Sequence, residues 1–391
     1  MSAPLRRVLV LGIALGVSAA LVALSRHAAD APATSDTAVI AIYARLAAEG
    51  RLLVGAYSRF QWHHPGPGYF YVLAPFYTLS GDKTAGLNAG AAAISIASLA
   101  LVAAITWRRR RSLAVSSAAC LAVLAWRTSE ALVSPWNPHV PLLPMIALIV
   151  SAADVLAGHG LMLPVVALLA SVCGQAHIAL LPTALTVGAV TCACAAARAR
   201  GTADASAWRW SVAAASVMLV LAWALPAYEQ VTGTPRGNLT ELWHYFARPA
   251  HAGQPLALAA SAWSDMLTGV LRPDFYVAHG WPFAESPVRW AEWAAIGQCA
   301  LVAAAVGAGL REGDRFRVSL GLLLLVASAV ALWSCTRIDE RIFDHDIFWM
   351  AGLGTLNVSI GVDAVVAPWL ARYRIDRKST RLNSSHVSES R

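Results

Sequence analysis

The sequence predicts an all-α polytopic membrane protein with about 10–11 membrane helices in one bundle. Three observations predict this class. Hydrophobic residues make up 58% of the chain and charged residues only 13%. The mean hydropathy is +0.56, well above the value typical of soluble domains. Apolar runs recur along the whole chain, and arginines cluster in the short segments between them.

The apolar runs, taken in order, justify the individual helices because each clear one approaches the length of a hydrocarbon core. The clear runs cover 8–24, 85–107, 140–156, 178–197, 210–225, 291–310, 318–333 and 347–370. Shorter runs cover 69–79, 113–126 and 161–174. The first run follows Arg6 and Arg7, as a signal peptide would. No clear small-residue cleavage site follows it, which favours a first membrane helix.

The net charge of +8 comes from loop arginines and not from a nucleic-acid-binding surface, so no nucleic-acid partner is expected. The arginines lie at 108–111, 198, 200, between 311 and 317, 372 and 374. This pattern is typical of loops on the cytoplasmic side of a membrane. The six cysteines have no CxxC spacing, which favours packing roles over a disulfide framework or a metal site. We expect no cofactor.

Residues 376–391 are abruptly polar and resemble one translated frame of a sequencing-adapter oligonucleotide. We therefore expect this tail to be an artefact and exclude it from functional reasoning. The remaining residues, 1–375, form one predicted transmembrane domain. The expectation is that this domain is truncated at its C-terminus.

The arginine-bearing loops predict which segments share a side of the membrane. Segments 26–68, 129–139, 228–289 and 336–345 would all face outward. If every run spans the membrane, the sides deduced from the two ends of the chain disagree by one crossing. They agree if one short run does not span. The run at 69–79 is one candidate. The region 161–197, interrupted by Gln175 and His177, is the other, and both of those side chains are expected to make interhelical hydrogen bonds.

The first outward loop carries the polar residues that are most informative about function. Ser35 or Asp36 can cap a predicted amphipathic helix at 38–50 that lies in the membrane interface. Asp36 is therefore either an N-cap or a carboxylate that serves as a general base. Arg59 and the adjacent His63 and His64 either bind phosphate oxygens or are solvated interfacial anchors. Adjacent histidines lack the i, i+4 spacing of a zinc pair, so no metal is predicted.

This loop resembles a known class of enzymes. An aspartate soon after the first membrane helix, an interfacial helix, and His64-Pro65-Gly66-Pro67 leading into Tyr69-Phe70-Tyr71 are similar to the GT-C class of membrane glycosyltransferases. The likeness is to its protein O-mannosyltransferase and aminoarabinose transferase groups. Gly66 is a departure, because His-Pro-Pro is usual there. The resemblance covers about the first quarter of the chain, and beyond it only the many-helix layout and the long outer loop agree.

The resemblance implies a GT-C-like bundle with an outward-facing site. Such an enzyme moves a sugar from a polyprenyl-phosphate carrier to an envelope glycan, lipid or protein. It implies that Asp36 is the catalytic residue and that no metal takes part. The expected donor-phosphate-binding residues are Arg59, His63, His64, Arg337 and Arg341. The expected substrate-binding residues are Tyr57, Trp62, Asn137, His139 and Glu229. The alanine richness and short loops of the chain indicate a bacterial inner membrane.

Two other functions stay open on the sequence alone. A multi-helix transporter or lipid-linked-sugar flippase would have polar residues along a path and discontinuous helices near the midplane. Gln175 and His177 with Pro182 would make such a break. The ionisable residues instead cluster in the outer loops, which favours transfer. A non-catalytic scaffold is the third reading, and it predicts that Asp36 is replaceable without loss of function.

Overall fold

The computed structural model describes residues 33–201, 205–248, 253–272, 280–283 and 290–366. Every regular element in these ranges is a helix, and the only strand-like pairings among them are two isolated bridges. The prediction of an all-α protein is therefore confirmed for the described part of the chain. The predicted helix at 8–24 and the tail at 376–391 lie outside it.

The helices of the first half follow the predicted helical segments closely, apart from the short helix Ser129–Val133, which lies in the predicted outward segment 129–139. They are α1 Ser35–Ala48, α2 Gly68–Leu79, α3 Thr84–Arg109, α4 Arg111–Arg127, α5 Ser129–Val133, α6 Leu142–Leu156, α7 Leu163–Ala176 and α8 Leu181–Gly201. The second half contains α9 Ala205–Thr232, α10 Asn238–Ala247, α11 Leu256–Leu267, α12 Trp290–Glu312, α13 Arg315–Thr336, α14 Asp344–Ile347 and α15 Met350–Val366.

Five of these helices are long and apolar enough to cross a membrane: α3, α8 with the 3₁₀ turn before it, α9, α12 and α13. Shorter apolar helices accompany them, namely α6, α7 with its preceding turn, α11 and α15. The chain is thus a membrane protein with several transmembrane helices. Two helices, α10 and α11, lie within the segment 228–289 that the sequence predicts as an outer loop. The apolar run of α11 has only 12 residues, too few to stand out as a span.

Helix α6 lies at the centre of the bundle. Its residues from Leu142 to Val155 are all buried, as expected for a helix that is apolar on every side. It packs against α3, α7, α8 and α13. Helices farther from this centre expose large apolar side chains that protein does not cover, such as Leu221 of α9 and Trp293 of α12. Such faces are what a lipid-embedded bundle presents outward.

The predicted interruption at Gln175 and His177 is present. Helix α7 ends at Ala176, His177 is extended, and a 3₁₀ turn leads into α8. The predicted interhelical bond of Gln175 is confirmed, since its Nε2 donates to the Ala222 carbonyl of α9 at 2.8 Å. Pro226, four residues later, has no N–H for that carbonyl. His177 differs from expectation, because its Nδ1 accepts locally from Ala179 N–H.

Helix α2 explains why the membrane sides deduced from the two ends of the chain differ by one crossing. It has 12 residues and is therefore about 18 Å long, short of a hydrocarbon core of about 30 Å. Asp82, just beyond its end, pairs with Arg45 of the interfacial helix α1. Of the two candidate segments, 69–79 is thus the one too short to cross. The 161–197 region instead forms two helices, α7 and α8, packed side by side.

The arginine-bearing segments meet at one end of the bundle. Asp154 accepts from Arg108 and Arg109, and Asp363 accepts from Arg110. Helix α13 starts beside this cluster and ends at Thr336, next to Arg337. Its 22 residues span about 33 Å. The arginine end and the segment around Arg337 are therefore separated by about one membrane thickness.

Candidate functional site

A cavity of about 920 Å³ opens at the end of the bundle opposite the arginine cluster. Segments distant in sequence line it: the start of α1, the loop before α2, the turn before α6, the start of α8, helix α10, and the chain from the end of α13 to α15. Its polar lining residues include Asp36, Arg59, His64, Asn137, His177, Tyr245, Arg337, Asp339, His345 and Asp346.

Asp36 reaches this cavity from the first turn of α1. The N-cap position belongs to Thr34, and the helix has no side-chain cap hydrogen bond. The interpretation of Ser35 or Asp36 as the N-cap is therefore wrong. Asp36 is exposed, and its carboxylate lies where the helix dipole favours negative charge. The side chain is free of a capping role and available to a ligand.

The loop before α2 folds into a small hairpin that presents Arg59 and His64. Tyr57 pairs with His63 across it, and Gly55 N–H donates to the His64 carbonyl at 3.1 Å. A Cβ at Gly55 would lie 2.6 Å from that carbonyl oxygen. Only glycine permits the strands of this hairpin to approach so closely.

Asn238, at the start of α10, holds this hairpin in place. Its Oδ1 accepts from His63 N–H at 2.9 Å, and its Nδ2 donates to the His63 carbonyl at 3.0 Å. The Asn238 N–H in turn donates to Glu229 Oε2 at 2.8 Å. Glu229 therefore positions Asn238 and does not line the cavity. Its expected role in substrate binding gains no support from this placement.

Two cationic side chains, those of Arg59 and Arg337, line the cavity. The Arg59 guanidinium lies over the rings of Phe60 and Phe343, at 4.7 and 4.3 Å, and reaches Glu340 at 3.4 Å. Arg337 is exposed at the end of α13 and lines the cavity. Arg341 is exposed but does not line it. Half the Arg59 side chain also remains exposed, so both cavity arginines can meet an anion.

The adjacent histidines have different surroundings. His63 lies outside the cavity lining, with its Nδ1 3.3 Å from Tyr43 Oη and 3.2 Å from the Gly55 carbonyl. Burial lowers its pKa. His64 lines the cavity and is almost fully buried. Burial, assisted by the charges of His345 and His63, lowers the pKa of His64 to about 3.

Some of the remaining expected substrate-binding residues line the cavity and one does not. Tyr57, Trp62 and Asn137 line the cavity, whereas His139 does not. His139 is buried, with its ring against Trp136 and Phe348. The Asn137 amide donates to the Ala176 carbonyl at the end of α7, at 3.2 Å. Trp62, Phe60 and Tyr245 form an aromatic wall, a surface suited to a sugar ring or an isoprenoid chain.

The structure adds a polar group to the cavity that the sequence did not assign to the site. His177 lies against His64, with ring centroids 4.5 Å apart, and 6.2 Å from the ring of His345. Burial alone would lower the pKa of His345, but the Asp344 and Asp346 carboxylates outweigh it, and the net pKa is raised. Burial raises the pKa of Asp346. The sequence signal was the run Asp344-His345-Asp346, although nothing in the spacing placed it beside His177.

Among the described residues, His177, His345 and Asp346 also form the group best able to hold a metal ion. Their candidate ligand atoms lie within 4.8 Å of one another. Donors around a tetrahedral Zn²⁺ are closer, about 3.4 Å apart, because each lies about 2.1 Å from the ion. Within this group, His345 Nε2 lies 3.7 Å from Asp346 Oδ1, which is close to that spacing.

Comparison of the chain with protein families, with curated proteins and with solved structures gives no match.

Proposed function

We propose that this protein is a membrane glycosyltransferase of the GT-C type that uses a polyprenyl-phosphate-linked sugar. The observation that carries the proposal is the meeting of Asp36, Arg59 and Arg337 in one cavity at one end of the bundle. A carboxylate and two cations that share one cavity suit a displacement in which one group takes a proton while another group leaves as a phosphate. The first-loop resemblance leads to the same reaction class.

The reaction would proceed by direct displacement at the anomeric carbon. The acceptor hydroxyl oxygen forms the new bond to that carbon and gives its proton to the Asp36 carboxylate. The bond between the anomeric carbon and the phosphate oxygen breaks, and the lipid phosphate leaves with the electron pair. Arg59 and Arg337 stabilise the negative charge that develops on it.

The position of the cavity supports a lipid-linked donor. Residues of α13, which is about 33 Å long, connect the arginine cluster to the cavity, and Trp333 near its end also lines the cavity. Tryptophans are common at the membrane interface. A lipid phosphate at that depth could reach Arg337 while its isoprenoid chain stays in the bilayer. By the positive-inside rule the cavity would face the periplasm or the cell exterior, where the envelope acceptor lies.

The test is complementation of a deletion strain with the full chain. Asp36→Asn removes the proton acceptor and should abolish one envelope glycan, measured by mass spectrometry, while wild type restores it. Asp82→Asn is the matched control, because Asp82 is an exposed aspartate paired with Arg45 outside the cavity lining. Normal glycan levels with Asp36→Asn would remove the catalytic claim.

One observation favours a second candidate, a transporter or lipid-linked-sugar flippase. The interruption between α7 and α8 lies on the cavity, through His177 and Ile178. Transporters place such breaks at their substrate sites. The two functions differ in where the lipid-linked sugar accumulates after loss of activity. A transferase defect leaves it on the outer leaflet, whereas a flippase defect leaves it on the inner leaflet.

A further inference from the structure

Two buried histidines on the cavity wall accept hydrogen bonds from consecutive backbone amides. Ile178 N–H donates to His64 Nδ1 at 3.1 Å, and Ala179 N–H donates to His177 Nδ1 at 3.3 Å. The two ring centroids are 4.5 Å apart. The short turn that begins α8 therefore orients both imidazoles at once.

These bonds determine which nitrogen carries the proton. A neutral imidazole has one N–H and one acceptor nitrogen, so a Nδ1 that accepts leaves the proton on Nε2. His64 is only 6% exposed and His177 only 3%. Burial disfavours the positively charged imidazolium, so the neutral form of each ring is favoured. Each ring is thus a neutral donor at its Nε2 atom.

Both Nε2 atoms are available to a ligand. No described residue accepts a hydrogen bond from either atom, and both rings line the cavity. His345 Nδ1 is a fully buried ring nitrogen without a hydrogen-bond partner, whereas neither of these Nε2 atoms is of that kind. A buried N–H donor without an acceptor is costly, so these two donors are expected to meet a ligand or water in the cavity.

We propose that His64 and His177 form a paired N–H donor site for the oxygen atoms of a phosphoryl group. The inference rests on the proposed function, in which the leaving group is a lipid phosphate. Neutral donors cost less to bury than cations, and donors fixed before the ligand arrives stabilise its charge without reorganisation. Positive charge would come from the rim of the cavity, through Arg59 and Arg337.

The same hydrogen bonds argue against a metal ion at His177. Coordination through Nε2 would require loss of the proton that the Ala179 bond keeps there. Coordination through Nδ1 would displace the Ala179 N–H. Metal-binding histidines ordinarily donate their second ring N–H to an acceptor, whereas here the partner of Nδ1 is itself a donor. The metal alternative is therefore an outcome of the test and not a second proposal.

The first measurement is the tautomer of each histidine in the purified full chain. Nitrogen-15 labelling of histidine, with His64→Gln and His177→Gln to assign the signals, gives the protonated nitrogen by NMR. The expected result is a neutral ring with the proton on Nε2 at both positions. A proton on Nδ1 at either position would overturn the proposal, and this measurement needs no variant to remain active.

The second measurement is binding of dodecyl phosphate and of inorganic phosphate to the chain in nanodiscs, made once with EDTA and once with added Zn²⁺. We expect His64→Ala and His177→Ala each to weaken binding about 10- to 150-fold, the usual effect of losing a hydrogen bond to a charged group. Gln keeps an N–H donor near the Nε2 position and should restore part of the affinity. His244→Ala is the control, because His244 is exposed and lies outside the cavity lining.

The outcomes separate the possible ligands and the two proposals. Tighter binding of dodecyl phosphate than of inorganic phosphate assigns the site to a lipid phosphate, whereas equal affinities assign it to phosphate itself. Unchanged affinity in the double alanine variant overturns the donor pair, as does binding that requires added Zn²⁺ and is lost with EDTA. If the pair binds phosphate but Asp36→Asn retains full activity, the transferase proposal fails and the donor site stands.

Discussion

Gln175 and Gly66 are in direct contact, and this contact gives a reason for the glycine in the His64-Pro65-Gly66-Pro67 segment. A Cβ added at Gly66 would lie 2.5 Å from Gln175 Oε1. The Gln175 amide cannot easily move, because its Oε1 accepts from Gly68 N–H and its Nε2 donates to the Ala222 carbonyl. The residue that departs from the His-Pro-Pro pattern is thus the one that lets α7 hold the cavity loop.

Gly66→Ala is therefore predicted to destabilise the protein. The added methyl group must break the Gln175 bonds or shift the loop, and overpacking of this kind typically costs about 1–3 kcal/mol. Thermal unfolding in detergent measures the loss. Gly307→Ala is the control, since a Cβ there meets nothing within 4 Å. Equal melting temperatures for the two variants would contradict the contact argument.

Asn238→Ala is predicted to loosen the hairpin that carries Arg59. The variant loses the acceptor for His63 N–H and the donor to the His63 carbonyl, and each unmet buried bond costs about 1–3 kcal/mol. Hydrogen exchange should therefore speed up in residues 55–64. His244→Ala, at an exposed position of the same helix α10, is the control and should leave the exchange of residues 55–64 unchanged. Unaltered protection in the Asn238 variant would show that the hairpin is held by other contacts.

The pKa of His64 predicts how stability changes with pH. This pKa is about 3 in the folded chain and about 6.5 in the unfolded chain. Between these values the unfolded state binds more protons, so this contribution is complete above about pH 6.5 and is lost as the pH falls toward 3. The slope is at most about 1.4 kcal/mol per pH unit for this group.

His64→Gln should remove that slope and keep a neutral side chain. The comparison of unfolding midpoints with pH should be made between the variant and wild type, because the half-buried Asp346 and His345 also titrate and are common to both. Their raised pKa values act on the stability of both proteins alike. Parallel pH curves for the two proteins would show that His64 is not held neutral by the fold.

The loss of a buried ion pair in the arginine cluster is predicted to lower the free energy of unfolding more than the loss of an exposed ion pair. Asp363 is buried and accepts from Arg110 Nε at 2.6 Å, with buried Arg317 also near it. Asp363→Asn removes the buried carboxylate of this cluster, while Arg110 still pairs with Glu312 and Asp314. Breaking a buried pair typically costs up to about 3–5 kcal/mol. Asp82→Asn breaks an exposed pair with Arg45, worth less than about 1 kcal/mol. Similar unfolding free energies for the two variants would contradict the assigned burial.

The sequence was sufficient for the helices and only partly sufficient for the site. Long apolar runs determine where membrane helices lie, so α3, α12 and α13 were predictable within three residues at each end, whereas α9 extends five and seven residues beyond the ends of its predicted run. Helix α11 was not, because its apolar run is too short to stand out. Asp36, Arg59 and His64 were predictable because they are unusual polar residues between apolar runs. His177 and His345 were not, since they lie 168 residues apart in the sequence and only packing brings their rings together.

The most direct test of the central claim is the amount of lipid-linked sugar in a strain that carries Asp36→Asn. Loss of a general base typically slows the reaction about 10²- to 10⁴-fold. The account therefore predicts that the donor lipid accumulates on the outer leaflet while its envelope glycan disappears, and that Asp82→Asn changes neither. Normal glycan and donor levels with Asp36→Asn would contradict the assignment of this cavity as a transferase site.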